Sequence, residues 1–202
     1  FLVKTLKKIF FLKYPWDLFY YRDFLFNHFL EEKISQNVFV SKKSRIEGKV
    51  FIGKNSKILD KVVLKGPCFI GENCFLDENV FLKNTNLESK NFIGRGSKVL
   101  NSIFQQDCRL NLAFVFSSIL GKNCQLAKNV VLAGKNLKKR KIFSTVKGKK
   151  EMVPFKDFGC VIGPGSLLGD NVFIESGVFV GKETSIFSSK RVKENLLDKS
   201  FF

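Results

Sequence analysis

Two lysines, Lys65 and Lys83, carry the clearest chemical spacing in the chain. Each directly follows an aliphatic residue that recurs along the sequence, and the two are 18 residues apart. On a chain that repeats every 18 residues they stand one above the other, where two cations repel unless an anion joins them. A sugar phosphate or a diphosphate would do so. A second concentration of charge lies between residues 133 and 159, where nine basic groups face only Glu151 and Asp157, a net +7. A cationic loop of this length either gathers a phosphate-rich ligand such as a coenzyme or nucleotide, or is a solvated surface hairpin.

Groups for acid–base work are scarce. The single histidine, His28, lies outside the repeated region and reads as a surface or packing residue. Glu175, late in the chain, is the remaining candidate for a general base. One histidine also removes any His-rich metal site, and no residue pattern requires a metal. The five cysteines, Cys68, Cys74, Cys108, Cys124 and Cys160, each stand two residues before an apolar residue, in a slot that Val50, Val80, Val130, Val172 and Val178 fill elsewhere. Strand alternation turns that slot inward, so the thiols read as reduced, structural core side chains. The GRGSK string within FIGRGSKVL lacks the spacing of a phosphate-binding P-loop.

The charge balance, 35 Lys and Arg against 18 Asp and Glu, gives +17, yet 45% of the 202 residues are hydrophobic. Such a chain is not a disordered basic tail, and its length suits one domain plus an extension. The basic residues are scattered and mostly lysine, and no helix-turn-helix, zinc-finger or base-stacking motif accompanies them, which argues against specific nucleic-acid recognition. Lys4, Lys7, Lys8, Lys13, Asp17 and Arg22 interrupt the only greasy stretch, and no signal-peptide cleavage site follows it. These features predict a cytoplasmic protein, with membrane association through the Phe-rich amino terminus as a minor alternative. The chain begins with Phe1, which reads as a piece of something longer.

The positioning framework is a beat of six. Apolar residues recur at Ile46, Ile52, Ile58, Leu64, Ile70, Leu76 and Leu82, at Leu87, Ile93 and Val99, at Phe114, Leu120, Leu126 and Leu132, and at Ile162, Leu168, Ile174 and Val180. Glycine follows many of them, and Gly and Asn suit the corners between short strands. Three units of six make one triangular coil, the hexapeptide signature of a parallel β-helix. The residues between inward positions, among them Phe51, Val63, Phe69, Phe75, Phe81, Val131, Val161, Phe173 and Phe179, point outward and form apolar stripes that call for cover by a neighbouring subunit or by a missing part of the chain. Side-by-side packing of three such prisms predicts a closed trimer.

The predicted organisation is a helical linker or cap over residues 1–45, a β-helix over 46–188 with an inserted loop at 133–159, and a tail at 189–202. KYPWDLFYYRDFLFNHFLEEK reads as a Pro-Trp turn and a helix with Asp17 as N-cap and Leu18, Leu25 and Phe29 along one side, plugging the end of the β-helix. RVKENLLDKSFF reads as a short closing helix.

The order KYPWDLF, a helix, then IEGKVFIG, IGENCFLDENVFLKN, SSILGKNCQLAKNVVLAG, VKGKK and CVIGPGSLLGDNVFIESGVFVG resembles the carboxy-terminal half of bifunctional sugar-1-phosphate nucleotidylyltransferase/acetyltransferases. The resemblance implies an all-β fold, a left-handed parallel β-helix that forms a homotrimer and acetylates an amino-sugar 1-phosphate with acetyl-CoA. It also implies a separate amino-terminal nucleotidylyltransferase half that uses Mg²⁺ and is not contained in these residues. On the family's pattern Lys65 and Lys83 fall on the residues that grip the substrate phosphate, although VLNS at 99–102 competes for the second position. The catalytic histidine falls on Asn111, which can orient an amine but cannot take a proton. A Gly-Ala-Gly segment near the thioester becomes Ala127, Lys128 and Asn129, and a Gly-Asp pair becomes Phe116 and Ser117. Lys128, Asn129, Lys138, Lys139, Arg140 and Lys147 are the residues placed to hold the coenzyme. Two functions follow: an acyl-CoA-dependent acyltransferase acting on an amino-sugar phosphate or nucleotide sugar, or a catalytically degenerate β-helix that trimerises and supports a nucleotidylyltransferase.

Overall fold

A computed structural model describes residues 11–134 and 141–202, so Lys138, Lys139 and Arg140 lie outside the described residues. Short strands of two or three residues visit three eight-stranded sheets in strict rotation, and every neighbouring pair within those sheets is parallel. The result is the expected left-handed parallel β-helix with one short helix. The first sheet runs from Lys33–Ile34 to Phe179–Val180, the second from Phe39–Val40 to Ser185–Ile186, and the third from Arg45–Glu47 to Arg191–Val192. Parallel strands one coil apart satisfy each other's backbone groups, while the inward aliphatic residue of each hexapeptide fills the prism axis. Ile52, Ile58, Leu64, Ile70, Leu76 and Leu82 are each fully buried in that column.

The coils are not all 18 residues long. Val63 pairs with Phe81, 18 residues on, whereas Lys98 pairs with Phe114, only 16 on. The shortened coil moves the inward position: Val115 is buried and pairs with Val99, and Phe114 stands outward beside it, against the sequence expectation for Phe114. The β-helix also extends beyond 46–188 at both ends, since strands at Lys33–Ile34 and Arg191–Val192 complete its terminal rungs. Residues 196 and 201 bridge to Val180 and Ser185, so the tail continues the coil and forms no closing helix. Its backbone is spent on the preceding rung, with Leu196 N–H donating to Phe179 O.

Asparagine serves as the left-handed corner residue, with φ between 56° and 59° at Asn55, Asn73, Asn123, Asn129 and Asn171. The glycine that follows many aliphatic positions has a different cause. At Gly53 a Cβ would sit 2.6 Å from the backbone of Gly71 on the next coil, so only hydrogen fits. All five cysteines are free and buried, as the inward slot predicts. The thiols of Cys74, Cys108 and Cys124 point at the carbonyls of Glu88, Gly121 and Gly163 on neighbouring coils at 3.1–3.2 Å. Burial pushes the Cys68 and Cys74 thiols up to about 11 and Cys160 up to about 12.

Helix α1 (Asp17–Phe29) does not plug the end of the prism. It lies along the outer face of the first sheet, where Trp16 and Phe19 join Ile142, Val153 and Phe158 of the inserted segment over the outward residues Ile103 and Ile119. The physical reason is the apolar stripe itself: Ile103, Ile119, Val161 and Phe179 face outward on this sheet, and the chain's own helix and insert cover them. The buried side of α1 is accordingly Phe19, Arg22 and Phe26, with Leu18 and Leu25 half-buried and Phe29 exposed. Asp17 does not cap the helix; its carboxylate accepts the N–H groups of Lys13 and Tyr14 at 2.8 Å and fastens the preceding turn.

The inserted segment forms a hairpin of Phe143–Val146 and Lys149–Met152, turning at Lys147 and Gly148, both with positive φ. Ser144 Oγ donates to Gly177 O at 2.6 Å and Asn195 Nδ2 to Thr145 O at 2.7 Å, tying the hairpin to the late coils.

Candidate functional site

The corner between the third and first sheets gathers the polar groups most suited to a ligand. Lys65 and Lys83 stand directly opposite each other on adjacent coils, as their spacing predicts. Glu47 faces Lys65 on the coil before, and its carboxylate lies 3.4 Å from Lys65 Nζ. Lys65 is therefore matched by an acid, whereas the next residue in Lys83's row is Leu100.

Just past this row the corner residues Asn84, Asn101 and Ser117 adopt the left-handed conformation on three successive coils, with φ of 48°, 49° and 46°. Their side chains form a ladder: Asn84 Nδ2 donates to Asn101 Oδ1 at 3.0 Å, and Asn101 Nδ2 donates to Ser117 Oγ at 3.1 Å. Arg22 of α1 closes it from outside. Its guanidinium donates to Asn101 Oδ1 at 2.7 Å and to the Asn84 carbonyl at 3.2 Å, and pairs with Asp23 at 2.6 Å. Burial lowers the Arg22 pKa from its usual value, opposed by Asp23, which keeps a guanidinium that starts so high charged at neutral pH. A cleft of about 460 Å³ opens here, lined by Lys83, Asn84, Leu100, Asn101, Phe116, Ser117, Gly134 and Asp157.

The other sequence-derived candidates among the described residues lie elsewhere. Asn111 is exposed at a corner between the second and third sheets, with its backbone N–H donating to Leu126 O. Glu175 is held by Arg191, whose Nε and Nη2 both lie 2.9 Å from its Oε1, an arrangement that occupies the carboxylate instead of freeing it as a base. Lys128 and Asn129 occupy the next corner along the same edge as Asn111, where Lys128 N donates to Asp170 and Asn129 Nδ2 to Asn171 Oδ1. Lys147 lies on the hairpin tip and lines a separate cleft of about 620 Å³ with Phe179, Lys182 and Leu197. The lining of that cleft includes neither Lys128 nor Asn129. Among the described residues no group of three or more His, Cys, Asp or Glu could hold a metal ion. Among them, too, no helix is long and apolar enough to cross a membrane.

Sequence reasoning missed Arg22, Asn84, Asn101 and Asp157. Arg22 at i+3 from Phe19 and i−4 from Phe26 sits on the helix's buried stripe, and a charge there is the signal that could have marked it. The asparagines looked like corner residues, which they are, and only the 17-residue coil brings their side chains into line.

Residues 31–153, more than half of the chain, match the family model described as the GMPPB C-terminal domain. The chain belongs to this family of nucleotidylyltransferase carboxy-terminal domains. No curated protein matches it by sequence. Among solved structures it is similar to the UDP-N-acetylglucosamine acyltransferase from Campylobacter jejuni, at 14% identity and a TM-score of 0.45 over 81% of this chain and 68% of that one. It is also similar to a GDP-perosamine N-acetyl transferase from Caulobacter crescentus in complex with CoA and GDP-perosamine, at 18% identity and a TM-score of 0.32 over 85% of this chain and 52% of that one. An N-acyltransferase from Bacillus cereus in complex with dTDP and coenzyme A aligns at 18% identity and a TM-score of 0.32, over 81% and 74% of the two chains.

Proposed function

We propose that this β-helix is the assembly and support domain of a nucleotidylyltransferase, joining copies of the enzyme into a homotrimer and transferring no acyl group. Membership of the nucleotidylyltransferase carboxy-terminal family carries the reading. The pairing of Glu175 with Arg191 and of Lys65 with Glu47 supports it, because neither group stands ready for transfer chemistry. The surfaces for assembly lie on the sheets that α1 leaves alone. Phe75 and Phe92 stack at 5.3 Å on the second sheet, and Val63, Phe81, Phe114, Val131 and Phe173 share one row of the third, interrupted between Phe81 and Phe114 by the exposed Lys98. Half-buried aromatic rows of this kind gain most when a second copy removes the rest of their surface from water. Sedimentation of the purified chain tests it: a trimer that falls apart on Phe75→Glu with Phe92→Glu is expected, and a wild-type chain that stays monomeric at tens of micromolar overturns it.

A second reading, acyl transfer from acetyl-CoA to an amino-sugar phosphate or nucleotide sugar, is favoured by the in-register Lys65 and Lys83 pair. In it the two lysines hold the phosphate and Asn111 orients the amine. Lys128, Asn129, Lys147 and the basic cluster of Lys138, Lys139 and Arg140 draw in the coenzyme.

A further inference from the structure

The chain enters the fold beside the inserted hairpin. Tyr14 and Trp16 share one apolar cluster with Ile142, Val146 and Val153 of the hairpin's inner side. Hydrogen bonding to Tyr14, with a smaller contribution from Glu151, raises the Lys13 pKa, in keeping with an entry that runs alongside the hairpin's second strand. Phe11 and Leu12 therefore emerge next to the hairpin, and they are 85% and 56% exposed.

The hairpin itself is two-faced. Ser144 and its partner Glu151 turn toward the β-helix, where Ser144 is buried and donates to Gly177 O. The alternate pairs, Phe143 with Met152 and Thr145 with Lys150, therefore face outward, and Phe143 and Met152 are 43% and 50% exposed. Lys150 Nζ lies 4.9 Å from the centre of the Phe143 ring, so cation and apolar surface are contiguous. Lys141, Lys147 and Lys149 are exposed around the same strands. Among the described residues, lysine ion pairs are made by Lys43, Lys65, Lys182 and Lys199 and by none of these four.

Exposed apolar side chains interleaved with unpaired lysines complement a surface that is anionic at its rim and apolar beneath, which is the interface of an anionic bilayer. Leu12 and Met152 offer no plane on which a base could stack, and the cations of this face are lysines without a guanidinium fork, which disfavours a nucleic acid. Residues 1–10, outside the described residues, lead into Phe11 with the sequence FLVKTLKKIF, three lysines and six apolar residues without an acid. Charge and apolar character thus continue along the chain from the exposed face.

We propose that the outer face of the hairpin and the chain entry beside it dock on the surface of an anionic membrane, with Phe11, Leu12, Phe143 and Met152 entering the headgroup boundary and the flanking lysines against the lipid phosphates and carboxylates. Docking of this kind lies on the bilayer and spans nothing. The face is separate from the second and third sheets, so the proposal stands whether or not the chain assembles as described above.

Co-flotation of the full chain with vesicles tests it, using phosphatidylcholine alone and phosphatidylcholine mixed with phosphatidylserine in roughly equal parts. The chain binds the mixed vesicles and not phosphatidylcholine, and added salt weakens the binding. Lys149→Glu with Lys150→Glu weakens it at least about tenfold, because each cation near an anionic leaflet adds to the attraction. Phe143→Ser with Met152→Ser leaves the charge unchanged and weakens it at least about threefold. Lys42→Glu with Lys61→Glu, exposed at the corner between the second and third sheets, makes the same change of charge and shifts binding less than about twofold. Absence of binding to the mixed vesicles overturns the proposal. So does equal weakening by Lys42→Glu with Lys61→Glu, since net charge alone would do that, or an indifferent Phe143→Ser with Met152→Ser, since adsorption without insertion would do that. Single-stranded RNA of mixed sequence that strips the chain from the vesicles at equal phosphate concentration overturns it too and assigns the face to a nucleic acid.

Discussion

Arg22→Met removes the clasp between α1 and the β-helix while keeping an apolar stem of similar length over Phe19 and Phe26. The lost interactions are two bonds from a charged donor, to Asn101 Oδ1 at 2.7 Å and to Asn84 O at 3.2 Å. Such bonds contribute about 1.5–3 kcal/mol each. The pair with Asp23 adds little, because that carboxylate is half exposed and screened. Relief of the buried guanidinium's desolvation offsets part of the loss, so a net cost of about 3 kcal/mol is expected, or about 150-fold in the docking equilibrium. The assay is amide hydrogen exchange over residues 17–29 together with urea unfolding of the full chain. Exchange in α1 should accelerate by about two orders of magnitude while the inward strand residues from Ile52 to Leu126 stay protected, and Arg22→Lys should recover less than half of the loss because it lacks the planar fork. A change below about 0.5 kcal/mol with unaltered exchange in α1 would refute the reasoning.

The thiols give two further outcomes. Native protein should show no reaction with a thiol reagent at pH 8 and five reactive cysteines in denaturant, because all five are buried. Stability should also fall on the alkaline side. Cys68, Cys74 and Cys160 have folded pKa values raised by burial to about 11, 11 and 12 from 9.0, so their contribution is complete below pH 9 and is lost as the pH rises toward those folded values. Unfolding at pH 8 and pH 11 on wild type and on Cys160→Ala checks this, with the variant showing the shallower fall. Gly53→Ala drives a methyl to within 2.6 Å of backbone on the next coil and should cost about 2–3 kcal/mol. Gly148→Ala meets nothing within 4 Å and should cost only the positive-φ strain of about 1 kcal/mol, both read by thermal unfolding.

The beat of six made the β-helix legible because each inward aliphatic residue answers to the same local rule on every coil. It located the inward cysteines, the outward aromatic rows and the Lys65–Lys83 register. It misplaced Phe114, because a coil of 16 residues shifts the inward position by one, and the length of a coil is settled by its corners and not by its strands. The position of α1 was hidden for a similar reason. End plugging and face covering both ask for an amphipathic helix, and the choice depends on which outward stripe is long enough to bury it, here Ile103, Ile119, Val161 and Phe179. The ladder behind Lys83 was illegible because it joins residues 22, 84, 101 and 117, whose alignment depends on the unequal coils between them. Asn111 was readable as a residue unable to act as a base, and its exposed corner follows from the same repeat.

The central claim is that this domain assembles and does not transfer acyl groups. A single experiment addresses it most directly: calorimetric titration of the sedimenting oligomer with acetyl-CoA, with and without glucosamine 1-phosphate, followed by mass spectrometry of the mixture for the acetylated sugar. The account predicts no heat of coenzyme binding and no acetylated product from a well-folded trimer. Micromolar acetyl-CoA binding with acetylated glucosamine 1-phosphate in the mixture would contradict it and put the acyltransferase reading in its place.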